Sequence, residues 1–352
     1  MIRIDGSQRS GSGTILRYAV ALASLAGEEL EITNIRARRK KPGLRPQHVR
    51  SVLACCELTG GRVEGAVVDS DRILYRPGKG CERTSYTWEI GTAGSTTMLA
   101  FTVLPLAIFS GKPRCFRISG GLFQDFAPGA YHMERVLLPL LARMGGKASL
   151  RIVRYGYVPK GGGLIQLESR PVAGRLAPLS LEGQGRVVEV SGISLASHLR
   201  TQRVAERMAE RCTEILSQDG LRPRFEIVQD TSAPQRGAAL FVAARTYTGC
   251  LLGADQAGRP GRRSEAIGTF VARNLLEDLG SGATVDRHLA DQLILFAGLA
   301  QGRTTYLIPR LTDHVETNLW LIETILGART SCRGNRVEIE GIGFERHAAD
   351  PN

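Results

Sequence analysis

Apolar and polar positions follow a recurring order along the first part of the chain. Residues 2–5 alternate with period two and predict a strand, whereas residues 14–26 carry apolar side chains at helical spacing and predict a helix. Gly27 follows as a left-handed helix stop, and Pro46 stands at a favoured first position of a second helix. The other elements are a strand at 30–36, the second helix at 46–58 and strands near 62–68 and 72–76. The pattern predicts a βαβαββ unit.

The same order starts again at Tyr86 and a third time near the end of the chain. The second copy is predicted to have strands at 86–90, 115–119, 148–153 and 164–168 and helices at 93–109 and 130–144. The third is predicted to have helices at 287–300 and 314–326 and strands at 304–308 and 336–339. Such units each cover one face of a sheet, so we expect the three to pack together.

A separate segment between Arg186 and about Ala266 interrupts the third copy. Its predicted elements are strands at 186–190, 224–228, 238–244 and 249–252 and an amphipathic helix at 200–217. Loops rich in proline and glycine flank it, as is typical of an inserted domain. We therefore predict an α/β (α+β) fold in which a large domain of three βαβαββ repeats carries a smaller inserted α/β domain. The predicted ranges are 1–185 and 267–345 for the large domain, 186–266 for the inserted domain and 346–352 for a tail.

The composition is that of a globular protein with a basic surface. Of the 352 residues, 43% are hydrophobic, and the longest apolar run, 97–109, is too short to span a bilayer. The net charge of +12 favours a polyanionic partner, nucleic acid before membrane. None of the seven cysteines forms a CxxC pair, and the chain starts directly in strand-like alternation. We therefore expect free thiols, no leader peptide and a cytoplasmic location.

Basic residues crowd the loop between the second strand and the second helix of the first copy, at 36–48. Guanidinium groups such as those of Arg36 and Arg39 can fork onto phosphate oxygens, and the following helix start offers free N–H groups. A solvated basic loop is the alternative. Pro42 and Gly43 fix the shape of the loop, which solubility alone does not require, and so favour phosphate binding. The glycine-rich turn at 5–13 could likewise cradle an anion.

The corresponding place in the third copy holds a histidine. Asp313 and Glu316 predict a capping box that puts His314 in the first turn of a helix. The positive end of the helix dipole disfavours imidazolium there, so one nitrogen of a neutral ring would be free to attack. A helix-start residue without a task is the alternative, because a lone histidine is not a site.

The helix before it carries polar side chains on one face of an otherwise apolar sequence. His288, Asp291 and Gln292 share this face. For Asp291, a ligand-binding role and a structural role are equally open. No Cys/His cluster has zinc spacing, and the sequence has no hydrolase triad signature.

Together these segments resemble the RNA 3′-terminal phosphate cyclases over nearly the whole chain. The segments that carry the resemblance are 5–13, 15–17, 35–48, 91–95, 156–163 and 289–293, followed by His314 with Thr317 and Asn318. The resemblance implies three βαβαββ units with an inserted small domain, in agreement with the repeat pattern. It also implies an enzyme that uses ATP to convert an RNA 3′-terminal phosphate into a 2′,3′-cyclic phosphodiester, releasing AMP and pyrophosphate.

The resemblance assigns roles to individual residues. His314 would be the catalytic residue and would attack the α-phosphate of ATP to form a histidine–AMP intermediate. The implied ATP-binding residues are Phe101, Pro128, His288, Leu289, Ala290, Asp291 and Gln292. The implied phosphate- and RNA-binding residues are Arg17, Arg36, Arg39 and Gln47. ATP and a divalent metal, Mg²⁺ or Mn²⁺, are the implied cofactors, and RNA with a 3′-terminal phosphate is the implied partner. No residue is assigned to the metal.

The chain departs from the family pattern at a few positions. Ser10 replaces a glutamate implicated in metal binding, and Phe101 replaces a glutamine that contacts the nucleotide. His288 replaces a tyrosine that packs on the adenine, and Tyr155 replaces a basic residue. A non-catalytic RNA-binding ribosome-assembly factor of the same fold stays an alternative, which Ser10 and Phe101 favour and His314 disfavours. An enolpyruvyl-transfer enzyme is a further alternative, but it would not need a histidine at this helix start.

Overall fold

The first repeat forms a four-stranded sheet and two helices. In the computed structural model, which describes residues 1–125 and 127–345, its elements are β1 (Ile2–Asp5), α1 (Gly13–Ala26), β2 (Leu30–Thr33), α2 (Pro46–Thr59), β3 (Arg62–Glu64) and β4 (Ile73–Arg76). The strand order is β1-β2-β4-β3, and only the β1–β2 pair is parallel. Ser12 caps α1, and Gly27 ends it with a φ of 70°, as predicted. β2 stops short of the predicted residue 36 because Asn34 and Arg36 adopt left-handed φ values of 51° and 59°.

The second repeat has the same topology. Its elements are β5 (Ser85–Glu89), α3 (Thr96–Ile108), β6 (Arg114–Gly120), α4 (Ala130–His132), α5 (Leu138–Arg143), β7 (Lys147–Arg154) and β8 (Gly163–Arg170). The strand order is β5-β6-β8-β7, again with only the first pair parallel. The single helix predicted at 130–144 consists of α4, a π-helical turn (Met133–Leu137) and α5.

A short strand, β9 (Ser180–Leu181), precedes a separate sheet in the middle of the chain. The elements that follow are β10 (Val187–Ser197), a 3-10 turn (Arg200–Gln202), α6 (Val204–Gln218), β11 (Pro223–Asp230), β12 (Gly237–Thr246), β13 (Leu251–Ala257) and α7 (Ser264–Gly280). The strand order is β11-β10-β12-β13. The pattern did not predict α7, which packs against α6, β12 and β13. The domain ranges stay a prediction, and we propose that the inserted domain extends to Gly280, because a boundary at residue 266 would cut α7.

The third repeat closes around this insertion. It consists of β9 and, after the insertion, α8 (Leu289–Leu299), β14 (Gln301–Leu307), α9 (Asp313–Leu326), β15 (Arg329–Arg333) and β16 (Arg336–Ile342). The strand order β9-β14-β16-β15 repeats that of the other two units. The pattern missed β9, which has only two residues, and β15, whose sequence Arg-Thr-Ser-Cys-Arg lacks apolar alternation. The predicted fold class is confirmed. The predicted tail at 346–352 lies outside the described residues.

Helices of different repeats pack against one another in the interior. α1 packs against α2, α3 and α9, and α8 packs against α9. α3 and α8 are buried along nearly their whole length, as expected of helices that are apolar on all sides. This packing brings the starts of α1, α2, α8 and α9 to one place. None of the helices in the described part of the chain is long and apolar enough to cross a bilayer.

Candidate active site

A cavity of about 510 Å³ opens where the starts of these four helices meet. The residues with predicted roles that line it are Arg17, Arg36, Arg39, Gln47, Phe101, Pro128, His288, Asp291, Gln292 and His314. The side chains of Leu289 and Ala290 do not line it, because they are buried in the core. The lining residues without a predicted role are Ser12, Gly13, Thr14, Tyr18, His48, Met98 and Asp125. The cavity therefore gathers side chains from all three repeats.

His314 lies half-buried in the first turn of α9, as predicted, and lines this cavity. The predicted capping box is wrong: Thr312 caps the helix, and Asp313 and Glu316 lie in its first turn. The hydroxyl of Thr312 accepts a hydrogen bond from the N–H of Val315 at 3.3 Å. Burial and nearby guanidinium groups lower the pKa of His314, so its ring is neutral near pH 7. Nδ1 is buried with no partner among the described residues, which leaves Nε2 as the nitrogen open to the cavity.

Asp291 and Arg17 place an acidic and a basic group in the cavity. Burial raises the pKa of Asp291 to about 7, although Arg17 opposes this, and burial lowers the pKa of Arg17 to about 10. The backbone carbonyl of Asp291 accepts hydrogen bonds from Tyr18 Oη at 2.5 Å and from Asn318 Nδ2 at 3.1 Å. These bonds tie α8 to α1 and α9. Because the backbone carbonyl makes the structural contacts, the carboxylate stays available to a ligand.

The basic loop after β2 has a defined shape. Nη1 of Arg36 donates to the carbonyls of Lys41 at 2.7 Å and Gly43 at 2.8 Å. Gly43 itself has a φ of 74°, which a side chain would oppose. Arg36 therefore holds the loop together while its guanidinium lines the cavity, and the exposed Arg39 lines the cavity beside it. The left-handed φ of Gly43 agrees with its expected part in fixing the loop, and the part of Pro42 stays a prediction.

Gln47 and His48, in the first turn of α2, link the first repeat to the second. Oε1 of Gln47 accepts a hydrogen bond from the N–H of Ser95 at 2.9 Å. Nδ1 of His48 accepts one from the N–H of Arg45 at 3.1 Å, so a neutral His48 carries its hydrogen on Nε2. Burial lowers the pKa of His48 well below its ordinary value. No role was predicted for His48, although it directly follows Gln47, and we find it to be a neutral hydrogen-bond donor at the cavity wall.

An apolar wall stands beside these charges. The ring of Phe101 is buried between those of Tyr18 and Phe296, with centroids at 5.7 Å and 5.9 Å. Oε1 of Gln292 is buried without a partner among the described residues. An unpaired buried acceptor at a cavity wall is costly unless a ligand donates to it. This part of the cavity suits a flat group with polar edges, such as a nucleobase.

Pro128 and His288 line the cavity near this wall from two different elements, the segment before α4 and the residue before α8. Thr97 Oγ1 donates to the carbonyl of Pro128 at 2.8 Å. The ring of His288 contacts that of His132 edge to face, with centroids 5.7 Å apart. Burial lowers the pKa of His288, so its ring is neutral and can stack on a base.

Comparison with known proteins gives one family. The sequence model of the RNA 3′-terminal phosphate cyclase family matches residues 8–332. A protein of that name from Pyrobaculum aerophilum is 36% identical, over 98% of this chain and 99% of its own. Proteins of the same name from Korarchaeum cryptofilum and Methylococcus capsulatus are 36% and 35% identical, over 98% and 95% of this chain and 99% and 93% of theirs. The chain belongs to this family.

Membership of the cyclase family confirms the resemblance and the prediction of an enzyme of this family, a ligase. The roles assigned to individual residues stay predictions. A crystal structure of an enolpyruvyl transferase from Streptomyces tendae aligns over 97% of this chain and 81% of its own with 13% identity and a TM-score of 0.19. A TM-score this low carries no argument for the enolpyruvyl-transfer alternative.

In the described part of the chain, the cavity offers no cluster of side chains suited to a metal ion. No group of three or more His, Cys, Asp or Glu side chains among residues 1–125 and 127–345 could hold a metal ion. Ser10 offers a neutral hydroxyl that already pairs with the hydroxyl of Ser12 at 3.1 Å. Its N–H donates to Thr317 Oγ1 at 3.1 Å. Ser10 therefore joins the glycine-rich turn to α9, whereas Mg²⁺ prefers carboxylate oxygen.

Proposed function

We propose that this chain uses ATP to convert an RNA 3′-terminal phosphate into a 2′,3′-cyclic phosphodiester, with His314 as the nucleophile. The observation that carries the proposal is the position of His314 in a cavity that also presents Arg17 and Arg39. A neutral imidazole among guanidinium groups combines a nucleophile with the positive charge that a triphosphate requires. The names of the relatives support the choice of substrate and product.

In the first step, Nε2 of His314 attacks the α-phosphorus of ATP. A P–N bond forms, the bond to the bridging oxygen of the β-phosphate breaks, and pyrophosphate leaves with that electron pair. The lowered pKa of His314 keeps Nε2 unprotonated at neutral pH. Arg17 and Arg39 would neutralise the phosphate charge that grows as pyrophosphate departs.

The next two steps return the histidine and close the ring. An oxygen of the RNA 3′-phosphate attacks the α-phosphorus, and the P–N bond breaks with its electron pair returning to Nε2. The RNA then ends in a phosphoanhydride to AMP. The neighbouring 2′-hydroxyl attacks the 3′-phosphorus, its proton passes to solvent, and AMP leaves. Covalent transfer thus splits the activation of a poor electrophile into two easier steps.

The remaining residues bind and orient the substrates in this proposal. The base would lie against Phe101, Pro128 and His288, and Oε1 of Gln292 would accept a hydrogen bond from it. Leu289 and Ala290, with buried side chains, would contribute only backbone at the start of α8. The side chains proposed for phosphate and RNA are Arg17, Arg36, Arg39 and Gln47.

The proposal includes a divalent metal ion, an RNA partner and a cytoplasmic location, as the family resemblance and the composition imply. A divalent ion, Mg²⁺ or Mn²⁺, is proposed without a protein ligand, and no step above depends on it. The net charge of +12 supports an RNA partner. All seven cysteines are free, which supports a cytoplasmic location.

Adduct formation tests the proposal. The chain is incubated with a divalent metal and ATP labelled at the α-phosphate, and label on the protein is measured after denaturation. We expect label that survives base and is lost in acid, as a phosphoramidate is. ATP labelled at the γ-phosphate should leave none, because pyrophosphate departs. His314→Ala should abolish the adduct.

The matched control is His198→Ala, which removes an exposed histidine that directly follows β10 and should leave the adduct intact. A wild-type chain that forms no adduct over a wide range of metal concentration and pH would overturn the proposed mechanism. RNA binding without any adduct would then favour the ribosome-assembly factor, for which Ser10 is the strongest argument.

A further inference from the structure

The inserted sheet contacts both walls of the proposed base pocket through one strand. Strand β13 is an edge strand of that sheet and is far in sequence from Pro128. It passes close to the second repeat: a β-carbon on Gly253 would lie 2.8 Å from Val136 Cγ2 and 3.0 Å from His132 Cδ2. Only a glycine allows so close an approach without movement.

Asp255 on β13 holds the wall that contains Pro128. Its Oδ2 accepts a hydrogen bond from the N–H of Gly129 at 2.6 Å. Gly129 has no room for a side chain, since a β-carbon would lie 2.6 Å from the same oxygen. The carbonyl of Pro128 is fixed on the other side by Thr97. The peptide unit between Pro128 and Gly129 is therefore held at both ends, its carbonyl by the second repeat and its N–H by the inserted sheet.

A second contact supports the same wall. Arg262, in the loop after β13, donates to both carboxylate oxygens of Asp125 at 2.6 Å and 2.9 Å. It also donates to the carbonyl of Ala257, the last residue of β13, at 2.6 Å. Asp125 lines the cavity. A bidentate pair of this kind fixes direction as well as distance.

Asp286 holds the wall that contains His288. Its Oδ1 accepts hydrogen bonds from the N–H groups of His288 at 2.8 Å and Leu289 at 2.9 Å, which orients the start of α8. Its Oδ2 accepts from the N–H of Gly253 on β13 at 2.8 Å and contacts His132 Nε2 at 2.9 Å. Asp286 is fully buried, so these bonds are made away from water.

We propose that β13 sets the distance between the two walls of the base pocket, with Asp255 and Asp286 as positioning residues for the nucleobase of ATP. Gly253 and Asp255 lie two residues apart on this strand: the N–H of Gly253 reaches Asp286 at one wall, and the carboxylate of Asp255 reaches Gly129 at the other. The inference rests on the proposed function, because it needs a base between Pro128 and His288. It gives the inserted domain a task in nucleotide binding.

The test separates base binding from phosphate binding. Asp255→Ala should raise the ATP concentration that half-saturates adduct formation about tenfold, the effect of losing one charge-assisted hydrogen bond. The saturated rate should change little, since His314 is untouched. Inhibition by inorganic tripolyphosphate, which lacks a base, should keep its wild-type concentration dependence. Asp255→Asn retains an acceptor for Gly129 and should restore most of the ATP affinity.

Arg262→Gln is the second variant, and Arg245→Ala on β12 is the control. Arg262→Gln breaks the ion pair with Asp125. It should weaken the binding of ATP without weakening the binding of tripolyphosphate. Arg245 is exposed and, among the described residues, forms its ion pair with Glu189, so its loss should alter the binding of neither ATP nor tripolyphosphate. The inference would be overturned if Asp255→Ala and Arg262→Gln both weakened the binding of ATP and of tripolyphosphate equally. It would also be overturned if neither variant changed the binding of ATP. Failure of the proposed function can be told apart from failure of this inference, because the wild-type protein itself would then form no adduct with AMP.

Discussion

The absent side chain of Gly13 shapes the part of the cavity that lies beside Arg17 and His48. A β-carbon there would overlap the Nε2 atom of His48 and lie 3.2 Å from Nη1 of Arg17. The missing side chain therefore creates the space into which these two donors point. Because Nδ1 of His48 is occupied by a backbone N–H, the ring can present only a donor there. A glycine that looks like a turn residue in the sequence thus leaves room for two hydrogen-bond donors, which would face the phosphates in the proposed function.

The lowered pKa of His314 determines how adduct formation depends on pH. Imidazolium has no free electron pair, so only the neutral ring attacks. A pKa below the ordinary histidine value of about 6.5 keeps the ring neutral down to that pH. The rate of adduct formation should therefore stay level as pH falls to about 6.5 and decline only below it.

Asp291 titrates in the same range, with a pKa of about 7, so the pH profile is also measured in Asp291→Asn. The charges facing His314 are those of Arg17, Arg39 and Asp313, besides the ring of His288. Only Asp291 among the cavity carboxylates has a pKa raised to about 7. A rate that already halves above pH 6.5 in both proteins would show that the imidazole is not held neutral.

Among the helices and strands, the first turn of α9 matters most for the proposed reaction, because it carries His314, the proposed nucleophile. Thr312 satisfies the N–H of Val315, and Ser10 meets Thr317 one turn further on. Thr317 Oγ1 in turn donates to the carbonyl of Asp313 at 2.5 Å. The first turn of the helix is therefore held from both sides, and His314 lies between these contacts.

Removal of the cap should loosen this turn. Thr312→Ala is expected to lower the free energy of unfolding by about 1 kcal/mol, the usual cost of losing an N-cap hydroxyl. It should also slow adduct formation, because a frayed first turn no longer fixes the direction of Nε2. Urea unfolding and the labelling assay measure the two effects. Thr312→Ser keeps the hydroxyl and should restore both, and a Ser variant as impaired as Ala would contradict the capping role.

At the scale of the whole molecule, three units of one topology create a site that none of them contains alone. The first repeat supplies the basic loop, the second supplies Phe101 and Pro128, and the third supplies His288 and His314. The positive charge is partly internal to this site, where Arg17 is buried enough for its pKa to fall to about 10. Arg39 and its exposed neighbours extend the charge outward to where an RNA strand would approach.

RNA binding should depend on salt through these arginines. Affinity for a short strand with a 3′-terminal phosphate should fall with salt, with a slope of about −0.7 in log–log form per phosphate neutralised. Arg39→Ala should make the slope less steep without changing stability. Arg36→Ala should flatten it too, but with a loss of stability, because Arg36 also holds the carbonyls of Lys41 and Gly43.

Arg303→Ala is the control for the salt experiment, since Arg303 on β14 is exposed and pairs with Glu340 on the neighbouring strand β16. It lowers the net charge by the same amount as Arg39→Ala. Equal slopes for the wild type and all three variants would show that the loop is only a solvated surface.

Features that depend on neighbours along the chain could be predicted from the sequence. Gly27 ended a helix where predicted because its left-handed φ is a local property. His314 was placed in a first turn because the change from loop to helical spacing is local, even though the cap proved to be Thr312. Repetition of the same pattern predicted the topology, since each unit must bury one apolar face.

Features that depend on contacts between distant parts of the chain could be seen only in the folded structure. The two-residue strand β9 has too few residues for a periodic signal and exists because β14 pairs with it. His48 gained a role from the absent side chain of Gly13. Asp255 reaches Gly129 across 126 residues. Such contacts are selected by the packing of whole units, because burying a carboxylate is favourable only where the folded chain supplies its donors.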